Sequence, residues 1–343
     1  MADARSMTPA PAAAATAPAA GPSLLRGITL LTVAAVIVLP LVLPSTTLAA
    51  EILIFAMAAL ACNLLLGYTG LLSFGQGIFF GGGAYVASLL MIHLGAGLFT
   101  ALVGAMVFGA AVAAVVGALA IRRTGIYFVM LTLAFSQMAY FVAYTLSDWT
   151  GGDNGLLDVP RPPVAIAGAT LVDLSDPAVY YAFVAVLFVA VFVAARRIIH
   201  SPFGSTLVAI RENEGRAAAL GYDTRQFKIL AFSLSGAITG LAGALYAMLL
   251  NFAPLSNIEL VMSEHILIMT IIGGTGSLFG SILGAAGIVL LGDLLSAVWP
   301  RWMMLLGIVL IGVVIFMRGG LWGGVESLYD TIRARRAHRR TAP

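Results

Sequence analysis

Arg211, Glu212, Glu214 and Arg216 place four charges of mixed sign within six residues of a 343-residue chain that is only 10% charged. They lie in SPFGSTLVAIRENEGRAAALGY, Ser201 to Tyr222, a polar island between apolar runs. A helix that rests on anionic lipid usually carries Lys and Arg on its polar face, whereas alternating acids and bases suit a protein partner. Ser201 and Pro202 make a good helix start, an N-cap followed by proline in the first turn. Leu207 and Ile210 form a short apolar stripe beside Arg211 and Glu214, and Gly221 can end the segment in a left-handed cap. The expected element is one short amphipathic helix that docks something. Catalytic chemistry, by contrast, has no foothold. The only lysine, Lys228, follows Phe227 rather than a glycine-rich phosphate loop, so the chain cannot be its own P-loop ATPase. Glu264-His265 is not part of an H-E-x-x-H pair, no G-x-S-x-G elbow occurs, and His93, His200, His265 and His338 are scattered. No catalytic residue, metal or cofactor is expected in this chain, and the single Cys62 rules out a disulfide framework.

The elements that must position the island are membrane helices. Hydrophobic residues make up 61% of the chain and the mean hydropathy is +1.03, well beyond a soluble domain. Apolar runs long enough to span fall at 24–43, 50–66, 78–94, 98–120, 125–146, 178–198, 227–250, 281–298 and 302–317, with a shorter, partial or tilted one at about 262–273. The expected fold is therefore an all-α polytopic membrane protein of about ten transmembrane segments. With ten spans, every Lys and Arg except Arg161 and Arg301 falls on one side, which makes that side cytoplasmic and puts both termini and the island there. Basic residues placed beside apolar spans report topology, so nucleic acid is excluded as a partner. Residues 1–23, rich in Ala, Pro and Thr, form an expected disordered extension. Residues 319–343 form a basic cytoplasmic tail suited to the membrane lipid surface.

Two glycine-dense segments interrupt the spans at corresponding places in the two halves, GYTGLLSFGQGIFFGGGAY (Gly67 to Tyr85) and GGTGSLFGSILGAAG (Gly273 to Gly287). Paired interruptions of this kind point either to broken or re-entrant helices lining a pathway or to close packing through small residues. The first five spans are expected to hold no ionisable group in their interiors except His93, with Asp293 the one intramembrane acid. A pathway would then be neutral, and Ser73, Gln76, Tyr85, Ser136, Gln137, Gly276 and Ser277 are the candidates to line it. The outer loop Ser147 to Pro177, with five aspartates against Arg161, is either a solvated connector or a docking face for an extracytoplasmic protein.

Four blocks carry a family resemblance: GYTGLLSFGQGIFFGGGAYVAS (67–88), TGGDNGL (150–156), SPFGSTLVAIRENEGRAAALGYDTRQFKILAFSLSGAITGLAGALYA (201–247) and IIGGTGSLFGSILGA (271–285). Over about 30–317 the chain resembles permease subunits of the branched-chain amino-acid ABC importers, of the LivM type; the third block is the most specific. The resemblance implies a bacterial inner-membrane permease domain over 24–318. It also implies a second permease subunit of the LivH type, two cytoplasmic ABC ATPases that hold ATP and Mg, and a periplasmic solute-binding protein. The family's coupling segment corresponds to 201–222, so Ala209, Ile210, Arg211, Glu212, Asn213 and Glu214 are the residues expected to contact an ATPase. Permeases for urea, amides and other amino acids are closely similar, which leaves the solute open. An autonomous carrier or channel is the alternative from a different class.

Overall fold

The computed structural model describes residues 22–43, 45–123, 125–166 and 169–298, together with 301, 304–305, 307–308, 311–312 and 320–324. The helices run in the order α1 (Pro22–Val42), α2 (Thr46–Thr69), α3 (Gln76–Leu94), α4 (Leu98–Ala120), α5 (Ile126–Thr145) and the single turn α6 (Ser147–Thr150). After a short hairpin, β1 (Val164–Ile166) and β2 (Ala169–Val172), come α7 (Pro177–Ile199), α8 (Pro202–Glu212), α9 (Glu214–Ala219), α10 (Thr224–Leu250), α11 (Leu260–Gly273) and α12 (Leu278–Val298). Among the described residues seven helices, α2, α3, α4, α5, α7, α10 and α12, are long and apolar enough to cross a membrane. The protein is thus a multi-pass, helical membrane protein. At 1.5 Å per residue the 14-residue α11 is about 21 Å long, short of a ~30 Å hydrocarbon layer. Most of the apolar run at 302–317, the extension at 1–21 and the tail beyond 324 lie outside the described residues.

The centre of the molecule is α2, which is apolar on all its faces apart from Glu51 and Asn63 and is buried along almost its whole length. Helices with an unbroken apolar circumference belong inside a bundle. Against it pack α3, α7, α10, α11 and α12, while α4 and α5 keep broad apolar faces such as Val103, Val107, Met138 and Phe141 exposed. Small residues make the close crossings possible. A Cβ at Gly243 of α10 would strike the Phe80 carbonyl of α3, and one at Gly109 of α4 would strike the Gly236 carbonyl of α10.

The loop between α6 and α7 is more ordered than a solvated connector. Leu156 pairs with Ala253 through both main-chain hydrogen bonds (3.0 and 2.9 Å), and Val159 N–H donates to the Asn251 carbonyl at 3.0 Å. Arg161 donates from Nε to the Met248 carbonyl (2.6 Å) and from Nη2 to the Leu249 carbonyl (2.5 Å), and its guanidinium stacks over Tyr180 at 5.0 Å. A cation on the free carbonyls at a helix C-terminus offsets the helix dipole. Arg161 thus caps the C-terminal end of α10. At the loop's far end Ser175 donates its hydroxyl and main-chain N–H to Asp173, which holds that carboxyl below the usual carboxylate range.

Two expectations need correction. The polar island is two helices rather than one, because Asn213 breaks it: Asn213 ends α8 in an extended conformation and accepts from Arg216 N–H at 2.9 Å as the N-cap of α9. Asparagine offers its own side chain as a replacement for a helical bond and so favours such caps. The early spans also carry an ionisable group besides His93, since Glu51 lies in the second turn of α2.

Candidate functional site

The island is held against the bundle by one apolar stripe, one ion pair and one arginine bonded to a main-chain carbonyl. Leu207 and Ile210 are both buried, and Leu207 shares an apolar cluster with Leu64 and Leu65 of α2 and Ala231 and Phe232 of α10. Glu214 pairs with Lys228 at 2.6 Å and accepts from the Thr224 hydroxyl at 3.2 Å, which ties α9 to the first turn of α10. Lys228 is buried, so its ammonium depends on this carboxylate. The second anchor is Arg211, whose Nη1 donates to the Gly67 carbonyl at the end of α2. That carbonyl is free because α2 terminates there. Gly70 adopts the left-handed conformation (φ 72°), and both Gly70 N–H and Leu71 N–H turn back to the Leu65 carbonyl. The stem of Arg211 fills the space at Gly70, where a Cβ would sit 3.0 Å from its Cγ.

The two glycine-dense segments meet at this point. Gly67 lies against the main chain of Gly276, so closely that a Cβ would fall 2.5 Å from Gly276 N. Tyr68 donates its hydroxyl to the Gly276 carbonyl at 2.8 Å. Asn63, fully buried in α2, accepts from Gly276 N–H (2.9 Å) and donates to the Ser277 carbonyl (2.7 Å) and the Ser281 hydroxyl (2.9 Å). Gly274 and Gly276 have φ of 112° and 88°, and α12 restarts at Leu278 with Ser277 Oγ accepting from Gly280 N–H at 3.2 Å. A continuous set of contacts therefore runs from Arg211 through Gly67 and Asn63 to Ser277. Sequence reasoning passed over Asn63 and Tyr68. The available signal was a lone amide inside an apolar run, since a buried amide needs partners.

The six residues expected at a partner surface divide. Ala209, Arg211, Glu212 and Asn213 are exposed, Glu214 is half-buried on Lys228, and Ile210 is buried within the chain. The pathway candidates divide too. Ser73 accepts from Gly75 N–H in the link before α3. Gln76 is locked between α3 and α10, donating to Ser235 at 3.2 Å and accepting from Thr239 at 2.8 Å. Gln137 is exposed on α5, Gly276 and Ser277 belong to the second break, and Tyr85 and Ser136 are buried. Away from these residues, Leu48, Glu51, Phe55, Tyr246, His265 and Asp293 help line a cavity of about 340 Å³ among α2, α10, α11 and α12. The described residues contain no group of three His, Cys, Asp or Glu arranged to hold a metal ion.

Comparison with known proteins follows the same lines. The family model for the permease component of branched-chain amino acid transport systems matches residues 45–314. The high-affinity branched-chain amino acid transport system permease protein LivM of Escherichia coli (strain K12) is 29% identical over 287 residues, 78% of this chain and 68% of that protein. LivM of Salmonella typhimurium is 28% identical over 295 residues, 81% of this chain and 69% of that protein. A shorter likeness, 34% identity over 128 residues, covers 34% of this chain and 37% of the autoinducer 2 import system permease protein LsrC of Photorhabdus laumondii. No solved structure matches the chain.

Proposed function

This chain belongs to the family of permease components of branched-chain amino acid transport systems, and from that premise we propose that it forms part of the membrane pathway of an ATP-driven importer for leucine, isoleucine and valine. In this reading the permease domain spans 24–318 and crosses the bacterial inner membrane about ten times, with both termini cytoplasmic. A LivH-type permease completes the pathway, two ABC ATPases hold ATP and Mg, and a periplasmic protein delivers the solute. The observation that carries the reading is the Arg211–Gly67 contact. It joins the segment that offers Ala209, Arg211, Glu212 and Asn213 to a partner with the helix break at the centre of the bundle. ATPase closure would displace α8 and α9, and Arg211 would pass that movement to Gly67 and, through Asn63 and Tyr68, to Gly276. Glu214 and Lys228 keep α9 and α10 moving together. A conformational change of this kind needs a discrete mechanical link between two sites, and here the link is made of named bonds.

Reconstitution tests the reading. The four-part importer in liposomes should accumulate leucine only with ATP and the solute-binding protein present; uptake by this chain alone, driven by an ion gradient, would overturn it. Within that assembly Arg211→Ala should keep the ATPases attached and ATP hydrolysed while leucine uptake falls about ten-fold, equivalent to ~1.4 kcal/mol of lost coupling. Wild-type uptake by this variant would sink the role of Arg211. The partial likeness to an autoinducer 2 permease gives the alternative solute class a direct check: urea, amides and the autoinducer should not compete with leucine.

A further inference from the structure

Glu51, His265 and Asp293 line one cavity of about 340 Å³, bounded by α2, α10, α11 and α12. Pockets that hold small ligands run from roughly 300 to 1,000 Å³, so the space suits one small molecule. Three of its walls share a pattern. One helical turn from each polar residue the same wall carries an apolar one: Phe55 after Glu51, Met269 after His265 and Val289 before Asp293. Since α2 ends at the first glycine break, α11 runs into the second and α12 leaves it, each apolar residue lies nearer the breaks than its polar neighbour. Phe55 and Met269 are buried, whereas Asp293 is exposed. The cavity thus has a polar mouth and an apolar floor.

Below the floor the helices close up. A Cβ at Gly284 of α12 would strike the Met269 carbonyl, and one at Gly280 the Gly273 carbonyl, so α11 and α12 touch between the floor and the second break. Phe55 is fixed by Phe80 and Tyr246, whose ring centroids lie 5.7 and 5.2 Å from its own. The Tyr246 hydroxyl, from α10, donates to the Glu51 carboxylate, and Asp293 is near enough for its charge to act on Glu51. Neither acid has a cation within salt-bridge distance among the described residues, where the ion pair is Glu214–Lys228. A carboxylate set among apolar helices is costly, and membrane proteins keep such groups where a solute or ion uses them.

The chemistry of the mouth is that of a zwitterion's partner. Two carboxylates accept hydrogen bonds and an imidazole N–H donates one. An ammonium group fits between Glu51 and Asp293, and a carboxylate fits on His265. Two carboxylates are too few to hold a bare metal ion, and an apolar floor adds nothing to such a site. The floor of Phe55, Met269 and Val289 instead suits an aliphatic side chain. We propose that this cavity is a station for an α-amino acid with a branched apolar side chain, its ionic head at the mouth and its side chain toward the breaks. This inference rests on the amino-acid import reading and names the residues of this chain that meet the solute.

The test uses the permease–ATPase complex without the solute-binding protein and reads its thermal midpoint with millimolar ligand. Leucine should raise the midpoint, and isocaproate, the same skeleton without the ammonium, should not. Glu51→Gln, which still accepts from Tyr246, and Asp293→Asn should each leave the unliganded midpoint level and abolish the rise with leucine. In the complete reconstituted importer each should lower leucine uptake about ten-fold, the loss of one charge-assisted hydrogen bond. An equal rise with isocaproate, or uptake by both variants within about two-fold of wild type, would overturn the station and leave the import reading intact. A wild-type complex that does not respond to leucine, in an importer that carries it, would overturn the station as well. An importer that carries no leucine would overturn the import reading and the station together. The isocaproate comparison needs only wild-type protein, so it decides the matter where a substitution lowers the unliganded midpoint.

Discussion

The two glycine breaks look alike in sequence, each with a G-x-T-G core followed by Phe-Gly, yet they do different work. The break after α2 opens outward to the island: its free carbonyl at Gly67 takes Arg211, and its left-handed Gly70 rests on the arginine stem. The break before α12 has no such contact with the island. Its main chain is bonded instead to Asn63 and Tyr68, side chains of α2 that reach across from the first break. Two similar breaks thus lie side by side, and in the import reading proposed above the arginine of the island is what would let a partner move the first of them. The repeated motif marks where two helices end; the asymmetric contacts mark which of those ends touches the island.

Substitutions can separate the two breaks. Gly67→Ala should have the largest effect, since its Cβ would meet Asn63 Oδ1 and the Gly276 main chain, neither of which can move aside. We expect about 2–3 kcal/mol of lost stability, seen as a lower thermal midpoint of the purified complex, and background leucine uptake. A stable, active Gly67→Ala protein would break the claim that the two breaks touch. Asn63→Ala comes next: it strips partners from Gly276 N–H and the Ser277 carbonyl, at about 1–3 kcal/mol, and restoring stability with Asn63→Asp should fail because a carboxylate cannot donate to Ser277. Gly276→Ala should be the mildest. Its Cβ would meet only the Gly67 carbonyl oxygen, at an ordinary 3.9 Å, so the left-handed conformation is what resists, at about 1–2 kcal/mol. A ranking with Gly276 ahead of Gly67 would reverse the comparison.

The chain by itself placed the seven long apolar helices and marked the island and the two glycine-dense segments, but not the count of ten spans and not the division of the island into two helices. Hydrophobic runs and glycine clusters are local signals, set by what lipid and backbone geometry demand of each short segment. Leu207 and Ile210 were legible for the same reason: a spacing of three puts both on one helical face. Tertiary structure alone decided the partners. Asn63 and Ser277 are 214 residues apart, and Arg211 meets Gly67 across 144. It also divided the pathway candidates, satisfying Gln76 with two partners on α10 and leaving the Tyr85 and Ser136 hydroxyls with none among the described residues. Whether a buried polar group is a brace or a binding group depends on what stands opposite it. That is settled by how helices cross, and no window along the sequence contains it.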